Sequence, residues 1–167
     1  QRYRTTFTGA EPFLTDHQVP GAVYLEMARA AVEHAMPTPP DATIVELRDV
    51  VLAQPAVLPA RTPIHVALMP NGKDGIDFEI YSQDADEEIV HCQGAAITSR
   101  EQVPAAVDYV LHPTAIDSAL QAAGVRFPAA LATLRIIAPC SPEMTARVRT
   151  AADEIEIDLC DSRGSVV

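Results

Sequence analysis

The chain has 167 residues, enough for one ordinary hydrophobic core or for two small units that share an interface. With 48% hydrophobic and 21% charged residues it has the composition of a soluble globular protein, and no apolar run reaches the roughly 20 residues of a membrane-spanning helix. A net charge of -11 argues against nucleic acid and anionic membranes as partners.

The chain ends and cysteines give only general expectations. The first residues are polar and do not resemble a signal peptide, so we expect a cytoplasmic setting. Cys92, Cys140 and Cys160 are far apart and show no CxxC spacing. Free thiols are therefore expected, rather than a disulfide framework or a zinc site.

The first strong element is a helix predicted over residues 20–36. Pro20 suits a first helical position, and the run that follows contains no helix breaker. Glu26, Arg29 and Glu33 are spaced three and four residues apart, so they share one stripe on which they can pair. The rest of the circumference is apolar, which predicts a helix surrounded on most sides by other structure.

Strands are predicted next. Apolar and other residues alternate over 64–69 and again over 76–81, and the turn-rich stretch 70–75 between them indicates a hairpin. We also predict strands over 88–98 and 44–58, although Pro55 limits the latter.

The pattern of one helix followed by strands then repeats. A second helix is predicted over 113–123 with Gly124 as its stop, followed by strands over 133–138, 145–150 and 154–159. The stretch 100–106 is predicted to be a linker between a first unit, 1–99, and an incomplete second unit, 107–167. This pattern predicts an α+β fold, and two such units side by side would form a double hotdog.

Two residues of the second helix are candidates for chemistry. Asp117 and Gln121 lie four positions apart on an otherwise apolar helix, so they project from the same face. Partial desolvation would favour the protonated form of Asp117 and suit it to donate a proton. On spacing alone, the exposed polar edge of an amphipathic helix is the more common explanation.

His17 is the other candidate, because it lies just before the first helix, where a side chain can reach a cleft. Histidine is the side chain best suited to take a proton near neutral pH. A single histidine without a partner is more often structural. No histidine has a metal-ligand spacing, so no metal site is predicted.

Two segments resemble the catalytic motifs of polyketide synthase dehydratase domains. Residues 13–31, FLTDHQVPGAVYLEMARAA, resemble the first motif, which contains the histidine. Residues 110–121, VLHPTAIDSALQ, resemble the second, in which an Asp and a Gln lie four residues apart. The stretches 134–140 and 157–161 are similar to strands of the same family's second half.

The resemblance implies a double hotdog, in which two antiparallel sheets each wrap around a central helix and a tunnel admits a phosphopantetheine arm. It implies that His17 is the base and Asp117 the acid in removing water from a 3-hydroxyacyl thioester, with Gln121 orienting Asp117 or binding the leaving oxygen. The backbone N–H of Gly21 is the candidate for polarising the thioester carbonyl. Pro20 and Tyr24 are further predicted substrate-binding residues.

The resemblance also implies partners, namely an acyl carrier protein and other synthase domains, with a homodimer as an open option. It requires no metal and no dissociable cofactor, since the substrate is carried on phosphopantetheine. Related domains shift a double bond or close a pyran ring, and a catalytically silent structural domain is a third alternative. The retained Asp117 argues against a double-bond shifter, since those relatives tend to lack that acid.

The chain departs from the family pattern in length. Pro20 follows His17 after only two residues, whereas the family has a longer connection that includes a motif glycine. A longer stretch before the second motif and residues between Val125 and Arg126 are also missing. Either the chain is a shortened relative, or the sequence joins segments of a longer chain. We expect the second, because deletion would leave unpaired sheet edges.

Overall fold

The computed structural model describes residues 1–14, 16–35, 43–58, 61–72, 75–85, 87–100, 113–122, 124, 129–135, 144–151, 154–161 and 163–164. The elements in chain order are β1 (Arg2–Thr6), α1 (Gly21–Ala35), β2 (Thr43–Leu52), β3 (Pro63–Pro70), β4 (Gly75–Asp84), β5 (Glu87–Arg100), α2 (Pro113–Ala122), β6 (Ala129–Arg135), β7 (Thr145–Ala151) and β8 (Glu154–Cys160). Six strands form one antiparallel sheet in the order β1-β3-β4-β5-β2-β6, and β7 pairs with β8. The predicted α+β class is confirmed.

Helix α1 packs against the sheet and forms the centre of the core. It contacts β2, β3, β4 and β5, and its largest fully buried side chains are Tyr24, Leu25 and Val32. The predicted pairing along its charged stripe is confirmed, because Arg29 contacts Glu26 at 2.8 Å and Glu33 at 2.6 Å. Arg29 and Glu26 are buried together, so each supplies the countercharge that the other needs away from water.

The predicted hairpin is formed by β3 and β4. Val66 pairs with Ile80 and Leu68 pairs with Phe78, and all four side chains are buried. The predicted alternation is thus confirmed for β3, where every second residue from Ile64 to Leu68 faces the core.

A β-bulge interrupts the pairing of β4 with β5. Ile80 pairs with Cys92 and Tyr81 pairs with Val90, so His91 is an extra residue on β5 with no partner opposite it. An extra residue reverses the alternation of side chains along the strand. His91 and Cys92, although adjacent, are therefore both buried.

The sheet continues across the two predicted units. Strand β6 pairs with β2, for example Leu134 with Leu47, and so extends the sheet of the first unit. Helix α2 contacts α1 and both strands of the β7–β8 hairpin. Its buried residues Ile116 and Leu120 belong to the same core cluster as those of α1.

Several predicted boundaries differ from the observed ones. The strand predicted over 44–58 ends at Leu52, before Pro55, because proline has no N–H to donate to a ladder. Strand β6 begins at Ala129, earlier than predicted, and residues 136–138 lie outside the described part. Of the predicted linker 100–106 only Arg100 is described, and it belongs to β5. Strand β1 was not predicted.

Within the described ranges, no helix is both long enough and apolar enough to cross a membrane. Cys92 and Cys160 are buried free thiols, as predicted, and Cys140 lies outside the described residues.

Replacing Gly94 by Ala should destabilise the fold by about 1–3 kcal/mol, since overpacking a filled interior forces its neighbours to shift. A Cβ at Gly94 would lie 2.9 Å from Cζ of Phe78 and 3.0 Å from the carbonyl oxygen of Arg48. Urea unfolding measures the change. Gln93→Ala, an exposed neighbour on β5, is the control and should change the free energy of unfolding little. Equal stability of the Gly94 variant and the native chain would contradict this packing.

Candidate active site

The loop that carries His17 has an unusual backbone. Asp16 and His17 have φ angles of 50° and 60°, so two consecutive residues with side chains occupy the left-handed region. This conformation costs energy for any residue other than glycine, although Asp and His tolerate it better than most. The side chain of His17 is exposed, so solvent or a ligand can reach it. Contacts with the rest of the fold must hold the loop in this shape.

Those contacts come from residues 53–58, which follow β2. The N–H of Leu58 donates to the carbonyl oxygen of His17 at 2.9 Å, and the N–H of Val19 donates to the carbonyl oxygen of Ala56 at 3.0 Å. Gln18 and Val57 form an isolated antiparallel bridge between these two bonds. Segment 53–58 therefore fixes the backbone from the carbonyl group of His17 to the N–H of Val19.

The loop leads directly into α1. Val19 is fully buried, Pro20 is half-buried, and the helix begins at Gly21, which is also buried. The N–H of Val23 donates to the carbonyl oxygen of Pro20 at 3.1 Å. The first N–H groups of a helix have no partners within it and favour negative charge, so the start of α1 suits a developing oxyanion.

Tyr24 lies beneath this loop rather than at an open surface. It is fully buried, and its hydroxyl accepts a hydrogen bond of 2.7 Å from the N–H of Ala56. Burial raises its pKa above the ordinary value, so the hydroxyl stays neutral. Its ring stacks on His91, with centroids 5.9 Å apart and planes 4° apart.

His91 belongs to a polar cluster that the sequence did not indicate. Its Nδ1 lies 3.2 Å from the carbonyl oxygen of Gln54, and its Nε2 lies 2.8 Å from Oγ of Ser82. A carbonyl can only accept, so Nδ1 carries the proton and Nε2 accepts from the hydroxyl. Burial lowers the pKa of His91 and keeps the ring neutral. His91 faces the core because of the bulge, and the alternation of residues along the strand does not predict that bulge.

Asp117 and Gln121 are brought together as predicted. Nε2 of Gln121 donates to Oδ2 of Asp117 at 2.6 Å. Asp117 is half-buried, at the border between the core side of α2 and its solvent side, where Gln121 and Ser118 are exposed. Burial raises the pKa of Asp117, and the hydrogen bond from Gln121 opposes that shift. The carboxyl therefore holds its proton more tightly than an exposed aspartate does.

The two predicted catalytic residues sit on elements that share one core. Val19, next to the His17 loop, and Ile116 and Leu120 of α2 are members of the same buried cluster. In the part of the chain that the structure describes, no group of three or more His, Cys, Asp or Glu side chains could hold a metal ion.

Sequence comparison matches the chain to one family model and to polyketide synthases. Residues 1–83 match the family model described as "Polyketide synthase dehydratase domain". The Bacillus subtilis polyketide synthase PksN is 28% identical over 252 aligned residues, covering 99% of this chain and 5% of PksN. The chain thus spans about a twentieth of that relative's length. Because the alignment is longer than the 167 residues of the chain, PksN contains segments that have no counterpart here.

Solved structures agree in fold. A trans-AT PKS dehydratase domain from Brevibacillus brevis superimposes with a TM-score of 0.86 at 27% identity, covering 99% of this chain and 90% of that one. The CurK dehydratase of the curacin polyketide synthase superimposes with a TM-score of 0.81 at 17% identity, covering 99% of this chain and 87% of that one. Its solved forms include an Asp-to-Asn mutant and a His-to-Phe mutant, both described as inactive.

Asp117→Asn should leave the chain as stable as the native one at pH 7, or more stable. The raised pKa means that the unfolded chain loses this proton at lower pH than the folded chain does. Stability from this group therefore falls as pH rises through that window, and Asn removes the penalty. Thermal melting at pH 7 and near pH 4 measures the difference, which should shrink at the lower pH.

Asp158→Asn is the matched control, because Asp158 pairs with Arg149 at 2.6 Å and gains nothing from neutralisation. A clear loss of stability at pH 7 in the Asp117 variant, larger than that of the control, would contradict the proposed desolvation of Asp117.

Proposed function

Because this chain belongs to the polyketide synthase dehydratase family, we propose that it removes water from a (3R)-3-hydroxyacyl chain to give a 2,3-enoyl thioester. We propose that the acyl chain is carried on the phosphopantetheine arm of an acyl carrier protein. The reaction needs a base for a weakly acidic α-proton and an acid for hydroxide, a poor leaving group. His17 and Asp117 are the residues proposed for these two roles.

The proposed reaction balances without a cofactor. The imidazole of His17 takes the α-proton from C2, and the electron pair of that C–H bond forms the C2–C3 double bond. The C3–O bond breaks as Asp117 gives its proton to the hydroxyl, which leaves as water. The exposure of His17 supports its access to a substrate. Return of the proton from His17 to Asp117, directly or through water, would complete the cycle.

The observation that carries the proposal is the environment of Asp117. A carboxyl that is to act as an acid near neutral pH needs a pKa above its ordinary value, and burial shifts the pKa of Asp117 in that direction. Gln121 donates a hydrogen bond to the same carboxyl, which supports the orienting role proposed for it. The inactive CurK mutants change one His and one Asp, the residue types that the proposal needs.

The start of α1 is the proposed site for the thioester carbonyl. Enolate character develops on that oxygen as the α-proton leaves, and backbone N–H groups at a helix N-terminus stabilise such charge. Gly21 is the first residue of α1 and follows His17 closely in the chain. Pro20, which is half-buried beside it, is proposed to contact the substrate.

We further propose that the fold is a double hotdog, with α1 and α2 as its two central helices. The contact of α2 with α1 and with the β7–β8 hairpin supports this arrangement. The partners proposed are the carrier protein and other domains of the synthase, and a homodimer remains part of the proposal to be tested.

The activity is tested with 3-hydroxyacyl pantetheine thioesters of both C3 configurations, followed by mass spectrometry for the loss of one water. The native chain should convert the 3R epimer. His17→Ala and Asp117→Asn should each lower kcat by about 100-fold or more, as expected for a general base or acid. The controls are His34→Ala, an exposed histidine at the other end of α1, and Ser118→Ala, an exposed neighbour of Asp117. Both should remain active.

No water loss from either epimer would contradict the proposal and favour a silent structural domain. Conversion of a 2,3-enoyl thioester into its 3,4 isomer without dehydration would favour a double-bond shifter instead. Full activity of the His17 variant would remove His17 from the site.

A further inference from the structure

The buried hydroxyl of Tyr24 has a bonding partner that connects it to His17. It accepts the N–H of Ala56, and the carbonyl oxygen of Ala56 accepts the N–H of Val19. Two residues further along, Leu58 donates to the carbonyl oxygen of His17. One short peptide segment thus links the phenol of α1 to the backbone of the candidate base and of the residues that follow it.

The same segment is tied to β5 at its other end. The N–H of Ala53 donates to the carbonyl oxygen of His91 at 2.9 Å, and Nδ1 of His91 donates to the carbonyl oxygen of Gln54. Pro55 lies between these anchors and restricts both its own φ and the conformation of Gln54. Segment 53–58 is therefore held by β5 near its start and by Tyr24 at its middle.

The loop needs this support, because Asp16 and His17 both have positive φ angles. A strained conformation persists only where its surroundings fix it. Ala56 is itself buried, so its N–H depends on the phenol for a partner and would have no water to replace it.

We propose that Tyr24 is a positioning residue for His17: through its hydrogen bond to Ala56 it holds segment 53–58, and thereby the loop that carries the base. This role differs from the substrate contact predicted for Tyr24 from sequence, which stays a prediction. The inference rests on the proposed function for its kinetic consequence, but its structural part, the dependence of the His17 loop on the Tyr24 hydroxyl, can be measured independently.

Tyr24→Phe removes only the oxygen and keeps the ring that stacks on His91. Hydrogen exchange followed by NMR on the full chain should show faster exchange of the Val19 and Leu58 amides. With a 3-hydroxyacyl pantetheine thioester, kcat should fall about 10- to 100-fold, as expected for a displaced base, while KM changes less than about twofold.

Tyr81→Phe is the matched control. Tyr81 is also buried and also stacks on a histidine, His65, with centroids 5.2 Å apart. It lies on β4, and among the described residues no hydrogen bond joins its hydroxyl to segment 53–58. The control should leave both the exchange of Val19 and Leu58 and the value of kcat unchanged.

Unchanged exchange at Val19 and Leu58 in the Tyr24 variant would overturn the inference. A raised KM with unchanged kcat would do the same, because it would make Tyr24 a substrate contact. If the variant does not fold, exchange of the Ala56 amide in the native chain decides. Slow exchange supports the bond to Tyr24, and exchange as fast as in an unprotected peptide refutes it. If the native chain releases no water, the proposed function fails, and the exchange data still decide the positioning role.

Discussion

The backbone hydrogen bonds of segment 53–58 are the constraint on which the candidate site depends. The segment lies between two sets of partners, with His91 and Tyr24 on the core side and the His17 loop on the other. Buried N–H and C=O groups must be paired, so these bonds leave little freedom for the residues between them. The position of an exposed histidine is thereby decided by groups that are themselves buried.

Most of the regular structure could be predicted because its residues repeat with a period. The apolar circumference of α1 and the alternation along β3 are both visible in the sequence. Strand β1 was missed because its side chains are mostly exposed and polar and show no apolar alternation. Its strand conformation comes from its pairing with β3. A tertiary contact, not a local preference, makes it a strand.

The candidate site likewise has features that the sequence predicts and features that it does not. The contact of Asp117 with Gln121 follows from a spacing of four on a helix, so sequence alone could predict it. The burial that raises the pKa of Asp117 comes from tertiary packing, in which α2 contacts α1, β7 and β8, and no local pattern contains it. The bond of Tyr24 to Ala56 could not be predicted for a related reason, since Ala56 is distant in sequence and lies in a segment without periodicity. The bulge that turns His91 inward depends on how β4 pairs with β5.

Strand β6 joins one edge of the described sheet by a pairing that spans a long stretch of sequence, and this bears on the order in which the chain folds. Leu47 of β2 pairs with Leu134 of β6, a distance of 134 − 47 = 87 positions. On a ribosome, β2 can pair with β5 well before β6 has emerged. The backbone groups on the other edge of β2 then have no strand to pair with until β6 is synthesised. Closing so large a loop also carries an entropic cost that local hairpins such as β3–β4 avoid. Among the described strand pairs this one closes the largest loop, so we expect it to form after the local hairpins, and it joins the part of the chain that carries Asp117 to the unit that carries His17.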